Sequence, residues 1–230
     1  MMITNVIFDL SEVLLPGMIG VEDRLSHQTK LPKDKITQAL GSRPHYEVGN
    51  ILDHLLSGKI TYEQYRSAFF LSTGLQESSA ALFDKACLSM LETPYDYTEE
   101  LLRTVGARCD VFLLSDHCET WVKWILKKHR FFSIFKDMVW SFEINATKRD
   151  LKPFKVIMSR NNLSPETCLF VDDLARNIGT AQRLGMKTVH FVGRESIGEI
   201  YSAIGIITQA EPDGPSNVSP GECLKKVHHD

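Results

Sequence analysis

Four short apolar runs constrain the fold of this chain more than any other feature. Their apolar residues are nearly continuous, which is typical of strands covered on both faces. The runs are VIFDL (6–10), DVFLLSD (110–116), CLFVDD (168–173) and TVHFV (188–192), with MVW (138–140) as a weaker fifth. Helix-like segments separate them, at 98–106, 119–129, 154–162 and 177–185, the last with Gly185 as its expected C-cap. This alternation predicts an α/β fold with a doubly wound parallel sheet.

The segment at 17–95, between the first two runs, has a different pattern. It contains no convincing strand and shows several helix-like stretches, including ITYEQYRSAFFLSTG and SSAALFDKACLSML. Thr61 is placed to cap the middle helix, with Gln64 at the capping-box position. We therefore expect an α-helical cap inserted after the first strand, packed over the mouth of a site in the α/β core.

The chain then divides into three expected parts. The C-terminal stretch is rich in Pro, Gly, Ser and charge, so we expect it to be a poorly ordered tail. The predicted parts are an α/β core at 1–16 and 96–207, a helical cap at 17–95 and the tail at 208–230.

Composition argues against several classes of partner. The formal net charge is −3, which gives no electrostatic case for nucleic acid or an anionic membrane. The basic run KKHR at 127–130 is expected to be the solvated end of a helix. No stretch of about 18 apolar residues is present, and the N-terminus enters a strand without a basic region before an apolar run. We expect neither membrane insertion nor nucleic-acid binding, and both a monomer and a homodimer fit the sequence.

The cysteines and histidines point to a cytoplasmic protein with reduced thiols. The five cysteines are scattered and form no CxxC pair. They are Cys87, Cys109, Cys118, Cys168 and Cys223. The eight histidines show no HxxxH or finger-like spacing, so a zinc site has no support.

Polar residues stand at the ends of three predicted strands. They are Asp9, Ser115, Asp172 and Asp173. In doubly wound sheets, ligands bind beyond the carboxyl ends of the strands. A single Asp at such a position is often only the N-cap of the next helix, so Asp9 alone is weak evidence. The order of these residues along the chain, with Lys148 in NATKRD between them, is a more specific pattern.

With these motifs the chain resembles the haloacid-dehalogenase-like (HAD) superfamily of phosphatases and related hydrolases. The resemblance spans roughly residues 3–205. The segment LLSGKITYEQY is similar to helical-capped members related to sugar-1-phosphate phosphatases and to the N-terminal phosphatase domain of some epoxide hydrolases. The resemblance therefore implies hydrolysis of a small phosphorylated metabolite.

The resemblance also implies a role for each matching residue. Asp9 matches the nucleophile that forms an aspartyl-phosphate. Ser115 matches the hydroxyl that bonds a phosphate oxygen, and Lys148 matches the lysine that offsets phosphate charge. Mg²⁺ is the implied cofactor because a hard cation offsets charge on the equatorial oxygens. The implied metal ligands, direct or through water, are Asp9, the backbone carbonyl of Ser11, Asp172 and Asp173.

The chain departs from the family pattern at two places. The usual third motif is Lys-Pro, and a literal Lys152-Pro153 occurs. We favour Lys148 as the matching lysine because its spacing to Asp172 is the one expected of the family and because it precedes the helix. Arg149 then replaces the usual proline. Ser11 stands where most phosphatase members carry an acid/base Asp.

The tripeptide Ser115-Asp116-His117 invites a comparison with hydrolase triads. Consecutive residues cannot align as nucleophile, base and orienting group, so we reject this interpretation. His117 is expected to lie at a helix N-terminus or on the surface, with contact to substrate at the pocket mouth as the alternative.

Three functions compete at this point. The first is a Mg²⁺-dependent phosphatase that acts through an aspartyl-phosphate on Asp9, where a carboxylate is expected to be ionised at neutral pH. The second is a haloacid dehalogenase, which uses the same Asp without Mg²⁺, but Ser11 and Glu12 do not resemble the aromatic-glycine pair of that subgroup. The third is a catalytically weakened HAD-fold binding protein, for which Ser11 is the main support.

Overall fold

The computed structural model describes residues 1–42 and 46–206. In these residues, parallel strands form a five-stranded sheet in the order β3-β2-β1-β4-β5. The strands are β1 (Asn5–Phe8), β2 (Asp110–Ser115), β3 (Asp137–Trp140), β4 (Cys168–Asp172) and β5 (Lys187–His190). The predicted α/β fold with a doubly wound parallel sheet is therefore confirmed, including the weak strand at 138–140.

The sheet is covered on both faces, as the continuous apolar runs predict. Successive side chains of a strand point to opposite faces. Val6 and Phe8 belong to one buried cluster, whereas Ile7 belongs to another with Phe112 and Phe170. Burial of whole side chains such as these stabilises the fold by about 1.5–3 kcal/mol each. The two clusters hold β1 at the centre of the sheet.

The register of β1 brings the strand ends together. Phe8 pairs with Leu113 on β2 and with Val171 on β4. The next backbone amide, that of Asp9, donates to the carbonyl of Val171 over 2.8 Å. Asp9 therefore emerges beside Asp172, at the carboxyl end of the sheet.

Helices fill the described residues between β1 and β2. They are α1 (Val21–Thr29), α2 (Lys33–Leu40), α3 (Ile51–Leu56), α4 (Tyr62–Thr73) and α5 (Ala80–Met90), followed by α6 (Thr98–Gly106) before β2. The predicted capping box is present, since Thr61 Oγ1 accepts from Gln64 N and Gln64 Oε1 accepts from Thr61 N. The helical nature of 17–95 agrees with the prediction, whereas its division as a separate cap stays a prediction.

The remaining helices pack around the sheet. They are α7 (Glu119–Lys128), α8 (Ser141–Ile144), α9 (Leu151–Asn161), α10 (Ala175–Gln182) and α11 (Ser196–Ala203). Helix α9 begins before the predicted 154 because Pro153 lies in its first turn, where the missing N–H has no intrahelical partner to lose.

The boundaries of α10 also differ from the predicted 177–185. The helix ends at Gln182, and Gly185 (φ +86°) closes a further turn by donating its N–H to the Gln182 carbonyl over 2.9 Å. The prediction that Gly185 caps the helix directly was therefore wrong by one turn. The glycine is still placed where a left-handed backbone is needed.

Several smaller predictions can be compared with the structure. Lys127 and Lys128 are exposed in the last turn of α7. His129 is buried, however, with Nε2 2.8 Å from the Leu91 carbonyl, so only part of the basic run is solvated.

The described cysteines are buried free thiols. Among the described residues, no helix is both long and apolar enough to cross a membrane. Cys223 and the expected tail at 208–230 lie outside the described residues.

Candidate functional site

Three carboxylates converge at the carboxyl ends of β1 and β4. One oxygen each from Asp9, Asp172 and Asp173 lies within 4.8 Å of the others. The parallel register of the two strands causes this approach, because Asp9 and the acidic pair leave the sheet side by side. Like charges at this distance repel each other strongly in a buried site, so the cluster favours a bound cation.

A buried lysine partly neutralises this cluster. Lys148 Nζ lies 2.6 Å from Asp9 Oδ1 and 2.7 Å from Asp172 Oδ2, and the residue is only 1% exposed. Burial acts to lower the pKa of Lys148, but the carboxylates of Asp172 and Asp9 outweigh it and raise that pKa. Lys148 therefore stays charged between two acids from different strands.

The backbone of Lys148 is fixed by a residue that the sequence did not single out for this role. The carboxylate of Asp116, which follows β2, accepts the Lys148 N–H over 3.0 and 3.2 Å. Lys148 belongs to the loop before α9, so this contact positions the loop against the end of β2. Burial raises the pKa of Asp116 to about 6, against the opposing effect of Lys148.

The environment of Asp9 bears on its charge. Asp9 is 4% exposed, and its Oδ1 accepts the Leu10 N–H over 2.6 Å as well as facing Lys148. Burial raises the pKa of Asp9 well above its usual range, with Lys148 opposing and the neighbouring Asp172 and Asp173 adding to the increase. Lys148 is therefore the group that favours the ionised form of Asp9 in this site, and the expectation that Asp9 is ionised at neutral pH stays a prediction.

Asp172 is held rigidly from the start of α10. It is fully buried, and its Oδ1 accepts from Leu174 N over 2.8 Å and from Asn177 Nδ2 over 3.0 Å. Asn177 was not among the predicted site residues. Its position shortly after the Asp pair is the sequence signal that could have indicated a hydrogen bond to Asp172. Asp173 is half-buried, so the two acids differ in how far they reach into the site.

Ser115 lies at the end of β2 with an unpaired hydroxyl. The residue is 1% exposed, and its Oγ has no hydrogen-bond partner among the described residues. Buried polar atoms are almost always hydrogen-bonded in folded proteins. An unpaired hydroxyl at a strand end is therefore suited to contact a ligand oxygen.

Ser11 and Glu12 form the tight turn that follows Asp9. Glu12 has a left-handed backbone (φ +61°), which costs free energy for a residue other than glycine. Its side chain accepts from Gly17 N over 2.8 Å and from the Tyr95 hydroxyl over 2.9 Å. These contacts hold the turn, and Ser11 lines the adjacent cavity. The predicted contact of the Ser11 carbonyl with a metal stays a prediction.

A cavity of about 170 Å³ lies above these groups. The charged side chains that line it are those of Asp9, Glu12, Glu22, Asp116, Lys148, Asp173 and Arg176. The apolar side is contributed by Met18, Ile19, Leu52, Leu56, Leu91 and Trp121. The segment between β1 and β2 thus supplies the apolar side except for Trp121, which belongs to α7.

His117 directly precedes the N-cap of α7, Cys118, as one of the two expected positions, but it is buried and does not lie on the surface. It is 2% exposed, lines the cavity, and packs edge-on against Trp121 and Trp140 at ring-centroid distances of 5.6 and 6.2 Å. Its backbone N–H donates to Ser141 Oγ, which in turn donates to the Leu56 carbonyl. The sequence could not reveal this, because the two indole rings and Leu56 come from separate elements.

The other lysine considered for the third motif lies elsewhere. Lys152 Nζ donates to the Ile144 carbonyl over 2.6 Å, within the turn that joins α8 to α9. The structure thus brings Lys148, and not Lys152, to the acidic cluster. The role of Lys148 in turnover stays a prediction.

Arg149, in place of the usual proline, reaches a tyrosine from the helical region. Its guanidinium lies 4.5 Å from the ring centroid of Tyr46, and that of Arg176 lies 5.1 Å from the same ring. Tyr46 lines the cavity and donates its hydroxyl to Asp53 Oδ1 over 3.0 Å. These cation–π contacts join the core to the helices above the site.

A family model described as haloacid dehalogenase-like hydrolase matches residues 55–191. The chain therefore belongs to the haloacid dehalogenase-like hydrolase family, as the motifs predicted. The matched residues include Ser115, Lys148 and the acidic pair, whereas Asp9 precedes them.

Solved structures share the fold. A HAD family enzyme from Bacteroides thetaiotaomicron, in complex with magnesium and inorganic phosphate, is 24% identical, with a TM-score of 0.65 over 81% of this chain and 92% of that one. L-2-haloacid dehalogenase from Xanthobacter autotrophicus is 18% identical, with a TM-score of 0.62 over 90% of this chain and 85% of that one.

A third structure is a putative HAD-hydrolase, YfnB from Bacillus subtilis, bound to magnesium. It is 17% identical, with a TM-score of 0.61 over 90% of this chain and 100% of that one. No curated protein gave a significant sequence match. At these identities the solved structures establish a common fold, and the family establishes a hydrolase.

Proposed function

We propose that this hydrolase is a Mg²⁺-dependent phosphatase that acts on a small phosphorylated metabolite through an aspartyl-phosphate on Asp9. The observation that carries the proposal is the contact of Lys148 with both Asp9 and Asp172, beside a third carboxylate. Lys148 can offset part of the charge of a phosphoryl group, and a cation held by the carboxylates would offset more of it. A HAD family enzyme of the same fold binds both magnesium and inorganic phosphate, which is consistent with this assignment.

The residues present fit a magnesium ion. The candidate ligands Asp9, Asp172 and Asp173 all offer carboxylate oxygens, which suit a hard cation. When bound, the cation would offset the negative charge of the phosphoryl oxygens and would favour the ionised form of Asp9. Asp172 and its partner Asn177 would keep the acidic side of the site rigid.

The side chains of the chain divide the chemistry between them. Asp9 Oδ1 is engaged by Lys148 and by the Leu10 N–H, which leaves Oδ2 as the oxygen to attack phosphorus. The new P–O bond to Asp9 forms as the bond to the leaving oxygen breaks. Lys148 and the Ser115 hydroxyl hold equatorial phosphate oxygens. Water then cleaves the aspartyl-phosphate, which releases inorganic phosphate and restores the carboxylate.

The first test is hydrolysis of phenyl phosphate by the purified protein, with Mg²⁺ and with excess chelator. Turnover is expected with Mg²⁺ and lost with chelator. Asp9→Asn keeps the side-chain shape but removes the nucleophilic charge, so it should abolish turnover while the melting temperature stays within the range of the wild type. Wild-type turnover by Asp9→Asn would contradict the proposal.

The same experiment separates the two rival functions. A haloacid dehalogenase would release halide from a 2-haloacid in the presence of chelator, and Asp9 would attack carbon in that reaction. A binding protein that retains the fold would hydrolyse neither substrate under any condition. The acidic pair, which suits a metal ion, favours the phosphatase over the dehalogenase, and the retained Asp9, Lys148 and acidic pair favour it over the binding protein.

A further inference from the structure

We infer that the apolar side of the cavity is a subsite for an aromatic leaving group, so that the substrate is an aryl phosphate ester instead of a sugar phosphate. This inference rests on the proposed phosphatase function. Beyond the proposed function, it specifies the chemical class of the leaving group. It also assigns to His117 the role of a hydrogen-bond donor to a polar substituent on that group.

The composition of the cavity wall is the first support. Leu52 and Leu91 are buried at 6% and 4% exposure, whereas Ile19 is 58% exposed although it lines the cavity. Ile19 is therefore accessible to an apolar ligand group in the cavity. A sugar would place several hydroxyls against Leu52, Leu56 and Leu91, whose side chains offer no hydrogen bonds in return.

The turn after Asp9 is an independent support. Ser11 has no carboxyl group to protonate a departing oxygen, and both oxygens of Glu12 are engaged by Gly17 and Tyr95. The turn after Asp9 therefore supplies no free carboxyl group to protonate the departing oxygen, which favours a leaving group that needs little acid assistance. A phenolic oxygen is suited to this, since the pKa of a phenol is about 10 and that of an aliphatic alcohol is much higher.

His117 supplies a donor within this otherwise apolar wall. Its Nδ1 accepts the Cys118 N–H over 3.2 Å, which places the proton of a neutral ring on Nε2. Burial lowers the pKa of His117 to about 4, so the ring is neutral at physiological pH. Nε2 makes no hydrogen bond within the described part of the chain. The flanking Trp121 and Trp140 fix the ring plane.

The atoms balance without a further reactant. The carboxylate of Asp9 forms a bond to phosphorus as the P–O(aryl) bond breaks, and the aryloxide leaves with the electron pair. Water then attacks phosphorus, and the bond to Asp9 breaks. The two protons of that water end on the phenol and on inorganic phosphate, so an aryl phosphate and water give a phenol and phosphate.

The test compares kcat/KM for three substrates in the presence of Mg²⁺. Phenyl phosphate carries the ring, α-D-glucose 1-phosphate carries a polar leaving group, and acetyl phosphate has a good leaving group too small to cover the wall. We expect phenyl phosphate to exceed glucose 1-phosphate by at least tenfold, as for other apolar subsites. A panel of hydroxyphenyl phosphates then probes the donor, and we expect at least one positional isomer to exceed phenyl phosphate.

Variants assign the preference to the wall. Ile19→Asn and Leu56→Asn should each reduce the ratio of kcat/KM for phenyl phosphate to that for acetyl phosphate by about tenfold, through the KM for phenyl phosphate. Leu71→Asn is the matched control, because Leu71 is 88% exposed on α4 and does not line the cavity. His117→Phe should abolish the gain from the ring hydroxyl, and His117→Gln should restore it in part.

The possible outcomes separate this inference from the proposed function. Turnover of acetyl phosphate without a preference for phenyl over glucose 1-phosphate would overturn the aryl subsite and leave the phosphatase intact. An equal loss for phenyl and acetyl phosphate in Ile19→Asn would also overturn it. Failure to hydrolyse any of the three would overturn the phosphatase itself. Because Ile19 is exposed, Ile19→Asn should fold like the wild type, so the test does not depend on whether Leu56→Asn lowers the melting temperature.

Discussion

The ammonium group of Lys148 lies 2.6 Å from the carboxylate of Asp9, at the centre of the sheet edge. Asp9 leaves the first strand, whereas Lys148 belongs to a loop far along the chain that Asp116 fixes by its backbone N–H. A buried ion pair of this kind costs desolvation, and it is weak evidence for stability by itself. The geometry of the pair instead suits the proposed function, in which a phosphoryl group contacts both Lys148 and Asp9.

Replacement of the two lysines should have unequal effects. Lys148→Ala removes the cation next to the attacking carboxylate and should reduce kcat by about 10²–10³-fold. Lys152→Ala removes a contact to the Ile144 carbonyl and should change kcat little. Steady-state kinetics on phenyl phosphate, with melting temperatures as a folding control, compare them. A greater loss of kcat in Lys152→Ala would show that the third motif is assigned to the wrong lysine.

The identity of the cation should matter as well as its presence. Mg²⁺ requires near-octahedral oxygen coordination at short distances, whereas Ca²⁺ prefers more ligands at longer ones. A cluster built on Asp9, Asp172 and Asp173 is small, so Mg²⁺ should restore activity to chelated protein and Ca²⁺ should restore much less. Titration of each ion into apo protein gives the comparison. Equal activation by both ions would argue against a site of this size.

Ser11→Asp should raise turnover, most strongly for poor leaving groups. An acid at this position donates a proton to the departing oxygen and can later activate water, which is worth about 10²–10⁴ in rate. A series of phosphate esters with leaving groups of increasing pKa, measured on both proteins, should show a shallower dependence in the variant. Burst kinetics identify the slow step. An unchanged slope would mean that another group already assists.

Asp116→Asn should make the metal-free protein more stable at neutral pH. Burial raises the pKa of Asp116 from 3.8 to about 6, so the folded state binds more protons between these pH values and the free energy of unfolding falls as the pH rises through them. Asn cannot ionise, and its oxygen can still accept the Lys148 N–H. We expect a gain of about 1–3 kcal/mol at pH 7 that disappears below about pH 4.

Denaturant unfolding at several pH values measures this gain. Asp150→Asn is the control, because Asp150 is exposed and precedes α9, where Asn and Asp serve almost equally. A gain of the same size at pH 4 and pH 7, or an equal gain in Asp150→Asn, would contradict the assignment to Asp116.

The strands and the acidic cluster were predictable because short-range patterns determine them. The apolar run around Ile7 is typical of a strand buried on both faces, and parallel pairing then placed Asp9 beside Asp172. The order of these residues along the chain, Asp9, Ser115, Lys148 and Asp172, indicated the family. These features depend on residue type and spacing, which a sequence displays directly.

The cavity was not predictable, because contacts between distant segments shape it. Trp140 on β3 packs against His117, and Arg149 packs on Tyr46 about 100 residues earlier. No local pattern encodes such partners. The helix starts were also misjudged where Pro153 lies in a first turn that tolerates it. Local propensity describes single elements, whereas the site depends on how the elements meet.

The central position of β1 has a consequence for biosynthesis. Asn5 pairs with Asp110 on one side and with Cys168 on the other, so β1 leaves the ribosome well before either of its partner strands. Such long sequence separations slow folding, and an unpaired apolar strand is prone to aggregation in the interval. A nascent chain that stops before residue 168 therefore carries Asp9 on a strand that still lacks its partner on one side.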